Sequence, residues 1–329
     1  NSTFVPVEST SSFMGKTIVE IATAEGSSAA VASDGTLFTW GNFRSPLGLG
    51  RIFADVRTPT IVTAGITGKS ISKVSVPTSK LEGLLVVATD GTVFMAGESS
   101  PIFGLTAQDS ILVQIPASQF DNKPIVDASI SFGLSLFIAT DGSLFGAGEN
   151  AGTGYNATTN RALPLNTDYL QGKTIEKIVT GNNNGALIAT DGTLFWFLSQ
   201  KNYPFSLKNI SSYRLRNIRM VKDTPTLLNH SNLSGHTITD VKAGALTTYL
   251  LTTEGKVFSF GNGRFGTLGN GDSLEVYIPT LIDHANLNGK KIVDIAVSSN
   301  QNSSSISRSH ALLLADDGSL YSMGSNEAG

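Results

Sequence analysis

The chain has 329 residues, 15% of them charged, a formal net charge of −3 and no cysteine. So balanced a charge gives no general reason to expect nucleic acid or an acidic membrane surface as partner. The missing cysteines exclude disulfides, thiolate nucleophiles and cysteine-based zinc sites together.

No apolar run approaches the roughly 20 residues needed to span a bilayer, so no membrane span is expected. The chain starts at Asn1, as a removed signal peptide, an internal fragment or a cloning boundary would each leave it. Its first extended segment is Phe4-Val5-Pro6-Val7. A basic turn at Gly15-Lys16-Thr17-Ile18 opens a strand, and the apolar run Ala29 to Ala32 leads into the hairpin Asp34-Gly35-Thr36-Leu37-Phe38.

That hairpin returns as Asp90-Gly91-Thr92-Val93-Phe94, Asp141-Gly142-Ser143-Leu144-Phe145, Asp191-Gly192-Thr193-Leu194-Phe195, Glu254-Gly255-Lys256-Val257-Phe258 and Asp317-Gly318-Ser319-Leu320-Tyr321. Successive turn glycines lie 56, 51, 50, 63 and 63 residues apart, the period of stacked supersecondary modules. A two-residue turn asks for positive φ, which Gly supplies and Asp beside it tolerates. The turn carboxylates invite a reading as a catalytic ring, but Asp-Gly is what the turn itself demands.

Each hairpin is preceded by the same opening turn. It recurs at Gly68-Lys69-Ser70-Ile71, Asn122-Lys123-Pro124-Ile125, Gly172-Lys173-Thr174-Ile175, Gly235-His236-Thr237-Ile238 and Gly289-Lys290-Lys291-Ile292. From that Ile to the turn Gly is 17 residues in four copies, 20 in the second and 26 in the sixth. Downstream, Pro-bearing segments such as Thr58-Pro59-Thr60-Ile61-Val62, Thr224-Pro225-Thr226-Leu227-Leu228 and Ile278-Pro279-Thr280-Leu281-Ile282 read as outermost strands, because Pro lacks a ladder donor. Four antiparallel strands per unit, repeated radially, make an all-β fold, a β-propeller of four-stranded blades.

Trp40-Gly41-Asn42 continuing to Leu47-Gly48-Leu49-Gly50, and Phe260-Gly261-Asn262-Gly263-Arg264-Phe265-Gly266-Thr267-Leu268-Gly269-Asn270-Gly271-Asp272, resemble the WGxNxxGQLGxGD segment of the regulator of chromosome condensation repeat. His310-Ala311-Leu312-Leu313 ahead of Asp317-Gly318 resembles the family's HSxALTxDG segment. The resemblance covers six units, approximately 15–67, 68–121, 122–171, 172–234, 235–288 and 289–329, in one propeller domain over 1–329. Residues 3–10 are a candidate closing strand, in cis or in trans. The family usually has seven blades, so the resemblance implies either a six-bladed ring or one blade outside this sequence. It also implies guanine-nucleotide exchange on a small GTPase as one possible activity.

Asn-x-Ser/Thr sequons occur at Asn1, Asn156, Asn209, Asn229, Asn232 and Asn302, none inside a repeated strand. They point to a glycoprotein at an extracellular or cell-surface location, with the cytoplasm as the alternative. Gly261-Asn262-Gly263-Arg264-Phe265-Gly266 matches a dinucleotide fingerprint, but no helix pattern follows it, so no cofactor is expected. The four histidines form no metal-binding pair, and no G-x-S-x-G elbow is present.

The segment Lys201 to Lys222 is the most individual. It carries Lys208, Tyr213, Arg214, Arg216, Arg219 and Lys222 with no acidic residue. These are candidate partner-binding residues, although cations on an edge strand also serve simply to block sheet-to-sheet association. A second departure is the polar run Ser298 to Ser305 in the sixth unit. Taken together, the residues predict a non-enzymatic scaffold presenting loops to protein or glycan partners, with self-association through terminal strands as a further possibility. The alternatives are an intracellular exchange factor and an enzyme with an axial active site.

Overall fold

The computed structural model describes residues 13–24, 27–41, 47–50, 55–76, 83–97, 109–131, 134–148, 159–181, 184–198, 226–227, 231–244, 247–263, 266–271, 273–282, 285–287, 289–297 and 310–324. They fall into six antiparallel sheets. Four strands each make the first, β1 (Ile18–Ala24), β2 (Ser27–Ala32), β3 (Leu37–Gly41) and β4 (Val56–Ile61), and the second, β5 (Ile71–Ser75), β6 (Leu84–Ala88), β7 (Val93–Gly97) and β8 (Asp109–Gln114). The third holds β9 (Ile125–Ser131), β10 (Leu134–Ala139), β11 (Leu144–Gly148) and β12 (Thr159–Pro164), and the fourth β13 (Ile175–Thr180), β14 (Asn184–Ala189), β15 (Leu194–Leu198) and β16 (Thr226–Leu227). The fifth holds β17 (Ile238–Ala243), β18 (Thr247–Thr252), β19 (Val257–Gly261) and β20 (Val276–Leu281). Among the described residues the sixth has three strands, β21 (Ile292–Val297), β22 (His310–Ala315) and β23 (Leu320–Gly324).

These sheets are the blades of a β-propeller. Two compact units carry them: the first comprises Asn1–Gly148 with Thr159–Pro164, the second Glu149–Thr158 with Leu165–Gly329. Within each unit the first strands of successive blades pack side by side, β1 with β5 and β5 with β9, then β13 with β17 and β17 with β21. They are therefore the inner strands, and the Pro-bearing β4 and β20 are outermost, as their sequence requires.

Burial follows the hairpin. The aromatic after each turn is sealed in the first five blades, as Phe38, Phe94, Phe145, Phe195 and Phe258, each contributing about 1.5–3 kcal/mol of transfer free energy. The residue before it faces the next blade: Leu37 joins Ile71 and Val74 in one core cluster, and Val257 joins Ile292 and Ile295 in another. A linker hydrophobe five residues ahead of each inner-strand Ile closes the other side, with Phe13 edge-on to Phe38 at 5.2 Å and Phe120 edge-on to Phe145 at 5.7 Å.

Candidate functional site

The turn carboxylates have a second duty that the hairpin motif does not reveal. In five blades one carboxylate oxygen accepts the N–H two residues on, from Thr36, Thr92, Ser143, Thr193 and Ser319, at 2.9–3.1 Å. The other oxygen receives the lysine of the opening turn, giving the pairs Lys16–Asp34, Lys69–Asp90 at 2.5 Å, Lys123–Asp141 at 2.9 Å, Lys173–Asp191 and Lys290–Asp317 at 2.9 Å. The fifth blade substitutes both partners at once, His236 facing Glu254 at 3.3 Å. Each pair locks the start of the inner strand to the turn of the same blade. The ammonium held against them keeps Asp34, Asp90, Asp141 and Asp317 at about 2, and Lys173 holds Asp191 below the usual carboxylate range.

Next to the lock, the turn glycine meets the following blade. The carbonyls of Gly35, Gly91 and Gly255 accept the N–H of Ile71, Ile125 and Ile292 at 2.9–3.0 Å. A Cβ at those glycines would lie 2.4–2.5 Å from Ser70, Pro124 and Lys291 side chains. Positive φ and close approach thus both demand glycine.

Sequence reasoning missed a row on the inner strands. Two residues after each strand-opening Ile stands a charge: Glu20, Lys73 and Asp127 in the first unit, Lys177, Asp240 and Asp294 in the second. In every blade the pairing register slips between the Ile and this charge, so the residue between them is an inserted bulge. A bulge re-aims the side chain that follows it, turning the charge away from the face that buries the Ile. Where it is aspartate, the carboxylate accepts the next N–H, at Ala128, Val241 and Ile295. Neighbouring inner strands also pair through the row, Glu20 with Lys73 at 3.1 Å and Lys177 with Asp240, to which Lys242 adds at 2.9 Å. Burial alone would raise the Asp240 carboxyl, but the two lysines outweigh it and hold it low. The signal was available: Ile-x-charge after all six opening turns.

The glycine-rich run of the fifth blade is built as a structural loop. Tyr249 Oη donates to Thr267 O at 2.5 Å, Ser259 Oγ to Leu268 O at 2.6 Å and Thr267 Oγ1 to Asn262 O at 2.7 Å. Burial pushes the Tyr249 hydroxyl up to about 12, so it stays a neutral donor. A Cβ at Gly263 would sit 1.9 Å from Leu274 O, and one at Gly269 would sit 2.4 Å from Met323 Sδ. The tight contacts at Gly263 and Gly269 belong to the folding of this loop, while Gly266 is open within 4 Å among the described residues.

Of the sequons only Asn232 lies among the described residues; Asn1, Asn156, Asn209, Asn229 and Asn302 lie outside them, as do residues 3–10 and the polar run 298–305. Asn232 is exposed, and its Nδ2 donates to Pro279 O of β20 at 3.1 Å. At the matching linker position Gln119 Oε1 accepts the Ala162 N–H of β12 at 3.0 Å, and Gly65 lies against Leu112 O of β8. This position clamps the outer strand, whatever else Asn232 does. Lys208, Tyr213, Arg214, Arg216, Arg219 and Lys222 also lie outside the described residues. Among the described residues no three His, Asp or Glu side chains converge as a metal site would require, and no helix is long and apolar enough to cross a membrane.

Models of the regulator of chromosome condensation (RCC1) repeat match residues 254–302 and 238–267. Over 321 residues, 95% of this chain, the sequence is 25% identical to the E3 ubiquitin-protein ligase HERC2 of Mus musculus, covering 6% of that protein. Residues 238–302 match the RCC1 repeat, and the chain is a β-propeller similar to that family. Protein RCC2 homolog of Xenopus laevis is 27% identical over 192 residues, 58% of this chain and 34% of the relative. In fold, the chain resembles Prp20p from Saccharomyces cerevisiae, described together with its binding properties to Gsp1p and histones, with a TM-score of 0.67 and 18% identity over 86% of this chain and 67% of that one. It spans only 6–20% of the first curated relatives it matches, so a ligase activity is a property of those longer proteins.

Proposed function

We propose that this propeller is a protein-binding regulator that acts by contact rather than by chemistry of its own. The observation that carries this reading is where the charges go. The six turn carboxylates and the inner-strand row are engaged in turns, bulge caps and ion pairs within and between the blades, leaving recognition to the segments that depart from the repeat. The comparisons support an RCC1-type regulator better than a secreted glycoprotein scaffold. No observation supports glycan binding or self-association, and the described sequon serves the linker clamp.

The basic, aromatic segment Lys201 to Lys222 is the contact surface we favour. Arginine and tyrosine are the side chains that most often anchor protein interfaces. Six cations without an acid select an acidic partner surface, so of the two partners named for Prp20p the basic histones are the poorer fit. Exchange on a small GTPase, which the resemblance to the repeat family implies, is the finer form of the reading, and the fold is shared with Prp20p, described with its binding to Gsp1p. Titration calorimetry of the full chain against Gsp1p is the test. Binding is expected, with affinity falling at least about tenfold when Arg214, Arg216 and Arg219 are reversed to Glu. No binding, or binding indifferent to the reversal, would sink the reading.

A further inference from the structure

Five of the six turn locks pair lysine with aspartate, and that of the fifth blade pairs His236 with Glu254. Lysine keeps its charge throughout the neutral range, whereas histidine is the side chain whose charge changes between about pH 5 and 8. The ring is oriented for the pair: Nδ1 stands 3.3 Å from Glu254 Oε2, and the imidazole rests on Phe258 with ring centroids 5.3 Å apart.

Glutamate here is released from the turn. The Lys256 N–H, which an aspartate would satisfy, donates instead to Thr252 Oγ1 at 3.1 Å. Bonds from the Thr252 hydroxyl and from its own N–H hold the Glu254 carboxyl at about 2, so it is ionised throughout the neutral range. The other charges near this lock are Lys256 on the same turn, Lys291 of the sixth blade, from which a Cβ at Gly255 would lie 2.5 Å, and Asp191 with Lys173 on the neighbouring turn, where a Cβ at Gly192 would lie 3.9 Å from Thr237.

What the lock holds reaches beyond its own blade. The Thr253 N–H donates to Thr237 O at 3.0 Å, and the Gly255 carbonyl accepts the Ile292 N–H of the sixth blade at 3.0 Å. We propose that the His236–Glu254 pair is a pH-responsive fastening, which tightens the fifth blade's turn and its joint to the sixth as the medium is acidified from about pH 7.5 to 5.5. The neutral imidazole offers Glu254 at most a hydrogen bond, and protonation makes it the charge pair the other blades have permanently.

Hydrogen-exchange mass spectrometry on the full chain, corrected for intrinsic exchange at each pH, reads this directly. Amides of 250–257 and 290–294 should be about two- to five-fold better protected at pH 5.5 than at 7.5, the range of a half-exposed ion pair. The Lys69–Asp90 turn should show no such ratio. His236→Lys should abolish the pH dependence with protection retained, and His236→Gln should abolish it with protection reduced. An equal ratio at both turns, or a ratio that survives His236→Gln, would overturn the proposal.

Discussion

At the scale of single residues, the turn glycines separate two physical demands. Gly91→Ala brings a Cβ to 2.4 Å from Pro124 at φ +81°, whereas Gly318→Ala at φ +84° meets nothing within 4 Å among the described residues. The first should cost about 2–4 kcal/mol and the second about 1–2 kcal/mol, read as shifts in denaturation midpoint. The locks also give a signed pH dependence. Unfolded aspartates take up protons near 3.9, while Asp90 in its lock does so at about 2. Its folded value is depressed, so its stabilisation is full above about pH 4 and is lost as pH falls toward about 2. The Tm difference between wild type and Asp90→Asn, followed by circular dichroism, should therefore be present at pH 6 and mostly lost by pH 2.

At the scale of strands, the inner-strand charges differ in what they do. Asp240 caps the Val241 N–H and faces two lysines, whereas Asp294 caps Ile295 with no ion pair among the described residues. Asp240→Asn should cost about 1 kcal/mol and lose most of that effect in 1 M salt, while Asp294→Asn should be nearly neutral in urea unfolding. Hairpins, apolar strands and outer Pro-bearing strands were legible because each depends on neighbours in sequence: Asp-Gly for the turn, Leu-Phe for the strand after it. The locks were not. Lys69 and Asp90 lie 21 residues apart, and only the folded sheet brings them together. The bulge hid the inner-strand row in the same way, since strict alternation would place Ile71 and Lys73 on one face, and the slipped register does not.

At the scale of the molecule, repetition accounts for the fold and departure from it for the proposed function. The repeated charges hold blades together, and the fourth unit's basic segment has no counterpart in the other five. Architecture and recognition should then be separable. Replacing residues 201–222 with a short Gly-Ser loop tests this most directly, with unfolding and Gsp1p titration measured on one preparation. The expected result is an unchanged Tm, within about 2 °C, together with loss of binding. Binding that survives the replacement, or a propeller that no longer folds without the segment, would contradict it.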